Sequence, residues 1–132
     1  MKMTNENRRI LIVDDERDIR EVTQIVLELE GGWEVVTASS GAEGIAVAVR
    51  DRPDAILLDV MMPGMDGLET LKQLRERPET QAIPVLFLTA KGQGKTPPEW
   101  GELGISAAIS KPFDPLKLVP QICSLLNWNR SE

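Results

Sequence analysis

The sequence predicts an α/β domain in which a five-stranded parallel sheet is doubly wound, with helices packed on both of its faces. Three observations predict it. Short runs rich in β-branched and aliphatic residues recur at 9–13, 33–37, 54–58, 83–88 and 107–110. Longer stretches with helical spacing lie between them. Acidic residues stand directly after the first run (Asp14, Asp15) and the third (Asp59), at the carboxyl ends of strands where open α/β sheets bind ligands.

Each element has its own signal. After the first run, Ile19, Val22, Val26 and Leu29 fall at helical intervals, and Gly31 follows as a C-terminal stop. Beyond the second run, Ser40 and Glu43 read as a capping box ahead of Ile45, Ala46 and Val49. Asp66 and Glu69 repeat that logic before Leu68, Leu71 and Leu74. After the fifth run, Asp114 is an N-cap and Pro115 takes the first helical position. Two segments fit less well. The segment 91–104 should hold a helix but contains Gly92, Gly94, Pro97, Pro98, Gly101 and Gly104, so only a short helix at 97–103 is expected. Pro120 removes a backbone hydrogen bond from the last helix, which predicts a kink or a late start.

At 132 residues the chain fits one domain, with a core at 8–127 and short polar tails. Its net charge of −6 argues against direct contact with nucleic acid phosphates. No apolar run is long enough to cross a bilayer and the start lacks the apolar stretch of a secretory signal, so a cytoplasmic location is expected. Cys123 has no second cysteine to pair with and reads as a small buried hydrophobe. Met61, Met62 and Met65 are expected to fill loop packing. Trp128 reads as part of a polar tail, and Arg8 with Arg9 as a solvated strand entry.

With strand order 2-1-3-4-5, the first and third strands are neighbours, and Asp14, Asp15 and Asp59 converge at one crevice. Core packing does not ask for this. Two carboxylates roughly 4 Å apart repel by about 4 kcal/mol at an effective dielectric near 20. A cation is the natural occupant, and magnesium suits hard oxygen ligands while keeping positions for waters and a phosphate. Taken singly, each aspartate could merely start a helix or end a strand. Thr89 follows the fourth run and Lys111 the fifth, so a hydroxyl and an ammonium reach the same edge, although each alone is an ordinary strand or surface residue. Together the five form an inventory for holding a phosphoryl group beside a metal. A cis Lys111–Pro112 bond would aim the lysine over the crevice.

These residues resemble the receiver domain of two-component response regulators, whose fold is flavodoxin-like, a three-layer sandwich. The matching pieces are Val13-Asp14-Asp15-Glu16, the run from Leu57 to Gly67, Leu88-Thr89-Ala90 and Lys111-Pro112-Phe113, in the family's order and spacing. The resemblance implies that Asp59 is a phosphoacceptor served by a phosphohistidine on a sensor histidine kinase or a histidine phosphotransfer protein. It implies that Asp14, Asp15, Asp59 and the Met61 carbonyl hold Mg2+ or Mn2+, with Asp14 acting through water. Thr89, the Ala90 amide and Lys111 would bind the phosphoryl oxygens. Phosphorylation would draw Thr89 inward and change a surface that a downstream protein reads. The chain would be a switch rather than an enzyme, with slow autodephosphorylation, and its lack of histidine requires a partner as donor. One departure stands out: Ala108 occupies the position of the usual inward-turning aromatic, so a shift or ordering within 91–104 is expected to carry the readout. The competing readings are a phosphorelay shuttle, a receiver cut from a longer regulator, a pseudo-receiver that only binds partners, and a haloacid-dehalogenase-type hydrolase. The last lacks its second aspartate, because Met61 stands there.

Overall fold

The computed structural model of the chain describes residues 8–62, 64–90, 105–111 and 113–128, leaving aside the side chains of 90, 105–107, 110 and 111. The elements run β1 (Arg9–Val13), α1 (Arg17–Gly31), β2 (Glu34–Ala38), α2 (Gly41–Asp51), β3 (Ala55–Asp59), α3 (Gly67–Arg75), β4 (Val85–Ala90), β5 (Ile105–Lys111) and, as α4, Pro115–Leu126. All five strands are parallel, in the order β2-β1-β3-β4-β5. The predicted topology is the observed one. The helix expected at 97–103 lies outside the described residues.

Side chains alternate between the two faces of the sheet and so build two cores. Ile10, Ile12, Leu57, Leu86, Leu88 and Ile109 pack under α1 and α4, together with Leu27, Leu118, Ile122 and the buried Cys123. Leu11, Val13, Ile56, Leu58, Val85 and Phe87 pack under α2 and α3, together with Ile45, Ala48, Leu71 and Leu74. Every residue of β3 is buried, which explains why its sequence shows no polar alternation. Ala108 pairs with Phe87 across β4 and β5 and packs against this second core.

Helix α1 turns its inward face differently from the simple reading of its spacing. Thr23 and Leu27 are buried and Val26 is half-buried, whereas Val22 is 46% and Leu29 78% exposed. Its stop is also one residue later. Gly32, not Gly31, adopts the left-handed conformation (φ 68°), and its amide donates to the Glu28 carbonyl. Gly31 stays in the helix, and glycine is needed there for space, since a β-carbon would meet the Trp33 ring at 2.8 Å.

The capping box at Ser40 forms with one change of partner. Ser40 Oγ accepts from the Glu43 amide at 3.1 Å, but the Glu43 carboxylate accepts from the Ser39 amide (2.8 Å) and the Ser39 hydroxyl (2.9 Å). The amide bond first, then the hydroxyl bond, holds the Glu43 carboxyl below the usual glutamate range. A carboxyl lowered in this way contributes stability in full above its unfolded pKa and loses it as pH falls through the folded value. Thermal melts of Glu43→Ala should therefore show a shallower acid-side loss of stability than wild type. Parallel profiles would refute this.

Asp66 caps α3 through the Glu69 amide (2.9 Å), and Asp114 caps α4 through the Leu116 amide (3.0 Å). Helix α4 starts at Pro115 and continues through Pro120, so there is no late start. The bond Pro120 cannot make would have served the Leu116 carbonyl, and both residues lie on the exposed side of the helix.

The first and last described residues are better tied than their composition implies. Trp128 lies edge-on to Trp33 at 5.3 Å, and the Arg8 guanidinium sits 4.1 Å over the Trp128 ring. Arg9 pairs with Glu34 (3.0 Å) and donates to the Asp51 carbonyl (2.7 Å). Neither arginine is simply solvated, and Trp128 is not a loose tail.

Candidate phosphoacceptor site

Two adjacent strands deliver the acids. β1 and β3 are paired with Val13 opposite Leu58, so the next residues, Asp14 and Asp59, emerge side by side at the carboxyl rim. Asp14 is fully buried and Asp59 is 4% exposed, while Asp15 faces solvent. One carboxylate oxygen from each of Asp14, Asp15 and Asp59 lies within 4.8 Å of the other two. This is the convergence the sequence predicts.

Local backbone geometry aims the two buried acids. Asp14 Oδ1 accepts from the Glu16 amide at 2.9 Å, and Asp59 Oδ1 accepts from the Met61 amide at 3.1 Å. Each is an aspartate bonded to the amide two residues on, a turn that short acidic side chains favour. Thr89, 7% exposed, follows Leu88, the register partner of Asp59, and so stands one step further along the rim. Ala90 and Lys111 are paired at the ends of β4 and β5, on the same edge. Their side chains, and Pro112 with its peptide bond, lie outside the described residues.

Two further residues serve this rim and were not read from the sequence. Arg20 Nη1 donates to the Asp14 carbonyl at 2.8 Å, tying α1 to the loop that carries the acids. Its sequence signal is faint, a cation on the inner side of the first helical turns. Gly67 donates its amide to the Val60 carbonyl at 2.9 Å. A β-carbon at Gly67 would lie 2.5 Å from the Asp59 carbonyl oxygen and 2.7 Å from Val60 Cα, both main-chain atoms that cannot swing aside. Glycine at the first position after the Asp66 cap is the available signal. Gly67→Ala should destabilise the domain by about 1–3 kcal/mol through overpacking. Urea unfolding reads the effect, and an unchanged midpoint would sink the assignment.

The methionines separate. Met62 is 7% exposed and packs in the second core, and Met65 is half-buried beside it. Met61 is 66% exposed, so loop packing does not account for it.

A doubly wound parallel sheet with three acids at its switch point defines a receiver-type signalling domain, and comparison with known proteins agrees. The model of the response regulator receiver domain matches residues 10–122, and the chain belongs to that family. It is 40% identical over 126 residues to the alkaline phosphatase synthesis transcriptional regulatory protein PhoP of Bacillus subtilis, covering 96% of this chain and 50% of that protein. It is 39% identical over 118 residues to the DNA-binding dual master transcriptional regulator RpaA of Synechocystis, covering 89% of this chain and 48% of that protein. Among solved structures it resembles a putative response regulator from Chloroflexus aurantiacus (TM-score 0.82, 36% identity, 92% of this chain and 98% of that one). It also resembles the chemotaxis protein CheY4 of Vibrio cholerae (TM-score 0.78, 32% identity, 90% and 98%). The chain spans about half the length of the transcriptional regulators it matches.

These relatives correct one expectation. Net charge argued against nucleic acid as a partner, yet the matching proteins are transcriptional regulators, one of them DNA-binding. The charge argument fails because −6 is the charge of a chain that matches only about half of each of these regulators. The field over one half of such a regulator does not decide what its other half contacts. Among the described residues, no helix is long and apolar enough to cross a membrane.

Proposed function

We propose that this receiver domain is a phospho-switch whose acceptor is Asp59. The observation that supports it most directly is the approach of three carboxylates from separate stretches to within 4.8 Å, two of them buried. A hard divalent cation fits that donor set. Asp14, Asp15, Asp59 and the Met61 carbonyl would hold Mg2+ or Mn2+, with Asp14 acting through water. When bound, the ion supplies charge neutralisation to the phosphoryl oxygens.

The remaining work belongs to the chain. The Met61 amide holds one Asp59 oxygen, leaving the carboxylate oriented for in-line attack on a phosphohistidine of a partner kinase or phosphotransfer protein. Thr89, the Ala90 amide and Lys111 would then receive the transferred group's oxygens, and movement of Thr89 would alter the surface beyond β4. Ala108 stands beside Phe87 on the adjoining strand, where this reading has no large aromatic to follow the movement and so assigns the readout to 91–104. A cytoplasmic location accompanies this reading.

A second reading has its own support. The half-length match to transcriptional regulators favours a receiver that governs transcription as the input part of a larger protein, over an isolated relay shuttle.

Incubation with acetyl phosphate and magnesium, followed by intact mass measurement, should show one added phosphoryl group. A chelator should abolish the gain. A chain that stays unmodified with the metal present would refute the reading.

A further inference from the structure

The exposed side chain of Met61, two residues after Asp59, has no role in the chemistry above. The other large exposed apolar side chains among the described residues are Val22, Ile25, Leu29, Leu116 and Leu125, hydrocarbons without redox chemistry. Cys123 is buried in the first core, and Met62 in the second. Met65 is half-buried, with its sulfur 3.9 Å from Gln73 Nε2. Met61 alone of the described sulfur-bearing residues is mostly in water, and its own amide grips the Asp59 carboxylate. Sulfur oxidation follows exposure, and it converts a flexible apolar side chain into a polar one.

We propose that Met61 is a redox modification site that sets the lifetime of the phosphoryl group on Asp59, an inference that rests on the phosphoacceptor reading. The oxidant is a hydroperoxide. The thioether sulfur attacks one peroxide oxygen, the O–O bond breaks and an S–O bond forms. Sulfur gives up two electrons, and the departing oxygen takes a proton and leaves as water (or as an alcohol from an organic peroxide). The product is the sulfoxide, whose oxygen is a strong hydrogen-bond acceptor. It replaces an apolar group with a hydrated dipole two residues from the acceptor, where water is the reagent that ends the signal. In that reaction a water oxygen bonds to phosphorus, the bond from phosphorus to the Asp59 oxygen breaks, and carboxylate and inorganic phosphate are released. A wetter rim shortens the lifetime.

The test has two arms on the full chain. Peptide mapping after timed exposure to hydrogen peroxide should show Met61 oxidised about tenfold faster than Met62, with Met65 between them. Intact mass measured after acetyl phosphate is removed, with magnesium kept, should show the phosphorylated form decaying severalfold faster in the oxidised chain. Met61→Leu removes the sulfur and keeps an apolar side chain. Each variant is compared with its own untreated rate, so oxidation elsewhere in the chain, which persists in Met61→Leu, is separated. Equal oxidation at the three methionines, an unchanged decay, or the same acceleration in Met61→Leu would each overturn the proposal. A chain that takes up no phosphoryl group before oxidation overturns the phosphoacceptor reading and the redox site with it. One that takes it up, and decays alike in both states, overturns the redox site alone.

Discussion

Asp59→Asn should gain no phosphoryl mass from acetyl phosphate and magnesium, and in the absence of metal it should be more stable than wild type. The two effects have one origin. Asp59 and Asp14 are both buried, with oxygens inside 4.8 Å, and two such charges repel by about 3 kcal/mol at an effective dielectric near 20. Asparagine keeps the acceptor for the Met61 amide and removes the charge. The nucleophile is lost while the fold is relieved. Chemical unfolding in a chelator measures the gain. A stability equal to wild type would mean the carboxylates are not held against their repulsion, and phosphorylation of the variant would move the acceptor elsewhere.

The second large effect is thermal. A divalent ion that binds only the folded chain, at about 100 times its dissociation constant, adds about 2.7 kcal/mol. For a domain of this size that raises Tm by roughly 8–10 °C. Calorimetry with and without magnesium should show a shift of this order. Asp15→Asn should reduce it, because Asp15 brings the exposed third of the cluster. Indifference to magnesium in both chains would remove the cation from the site.

The fold was legible because the signals were local. Apolar runs marked the strands, and Ser40, Asp66 and Asp114 marked helix starts by bonding amides two or three residues on. Boundaries moved where a distant contact intervened. The fourth strand begins at Val85 rather than Ile83 because the Ile83 carbonyl accepts from Arg75 at 2.9 Å and Ile83 closes the turn after α3. The acid cluster was legible because strand ends in a parallel sheet share one rim. Arg20 and Gly67 were not, since each acts on a main-chain carbonyl, and a sequence does not display which carbonyls need a partner. The faces of α1 were misjudged for a related reason. Val22 and Leu29 satisfy helical spacing, but the sheet beneath decides which side is inward.

The stack of Arg8 on Trp128 against Trp33 ties the start of β1 to the end of α4. That clasp sits at the pole of the sheet opposite Asp59, about one strand length away, roughly 17 Å. The clasp and the acid cluster therefore occupy opposite rims of one sheet, and a disturbance at Asp59 reaches the clasp only as shifts relayed through the strands and helices between them.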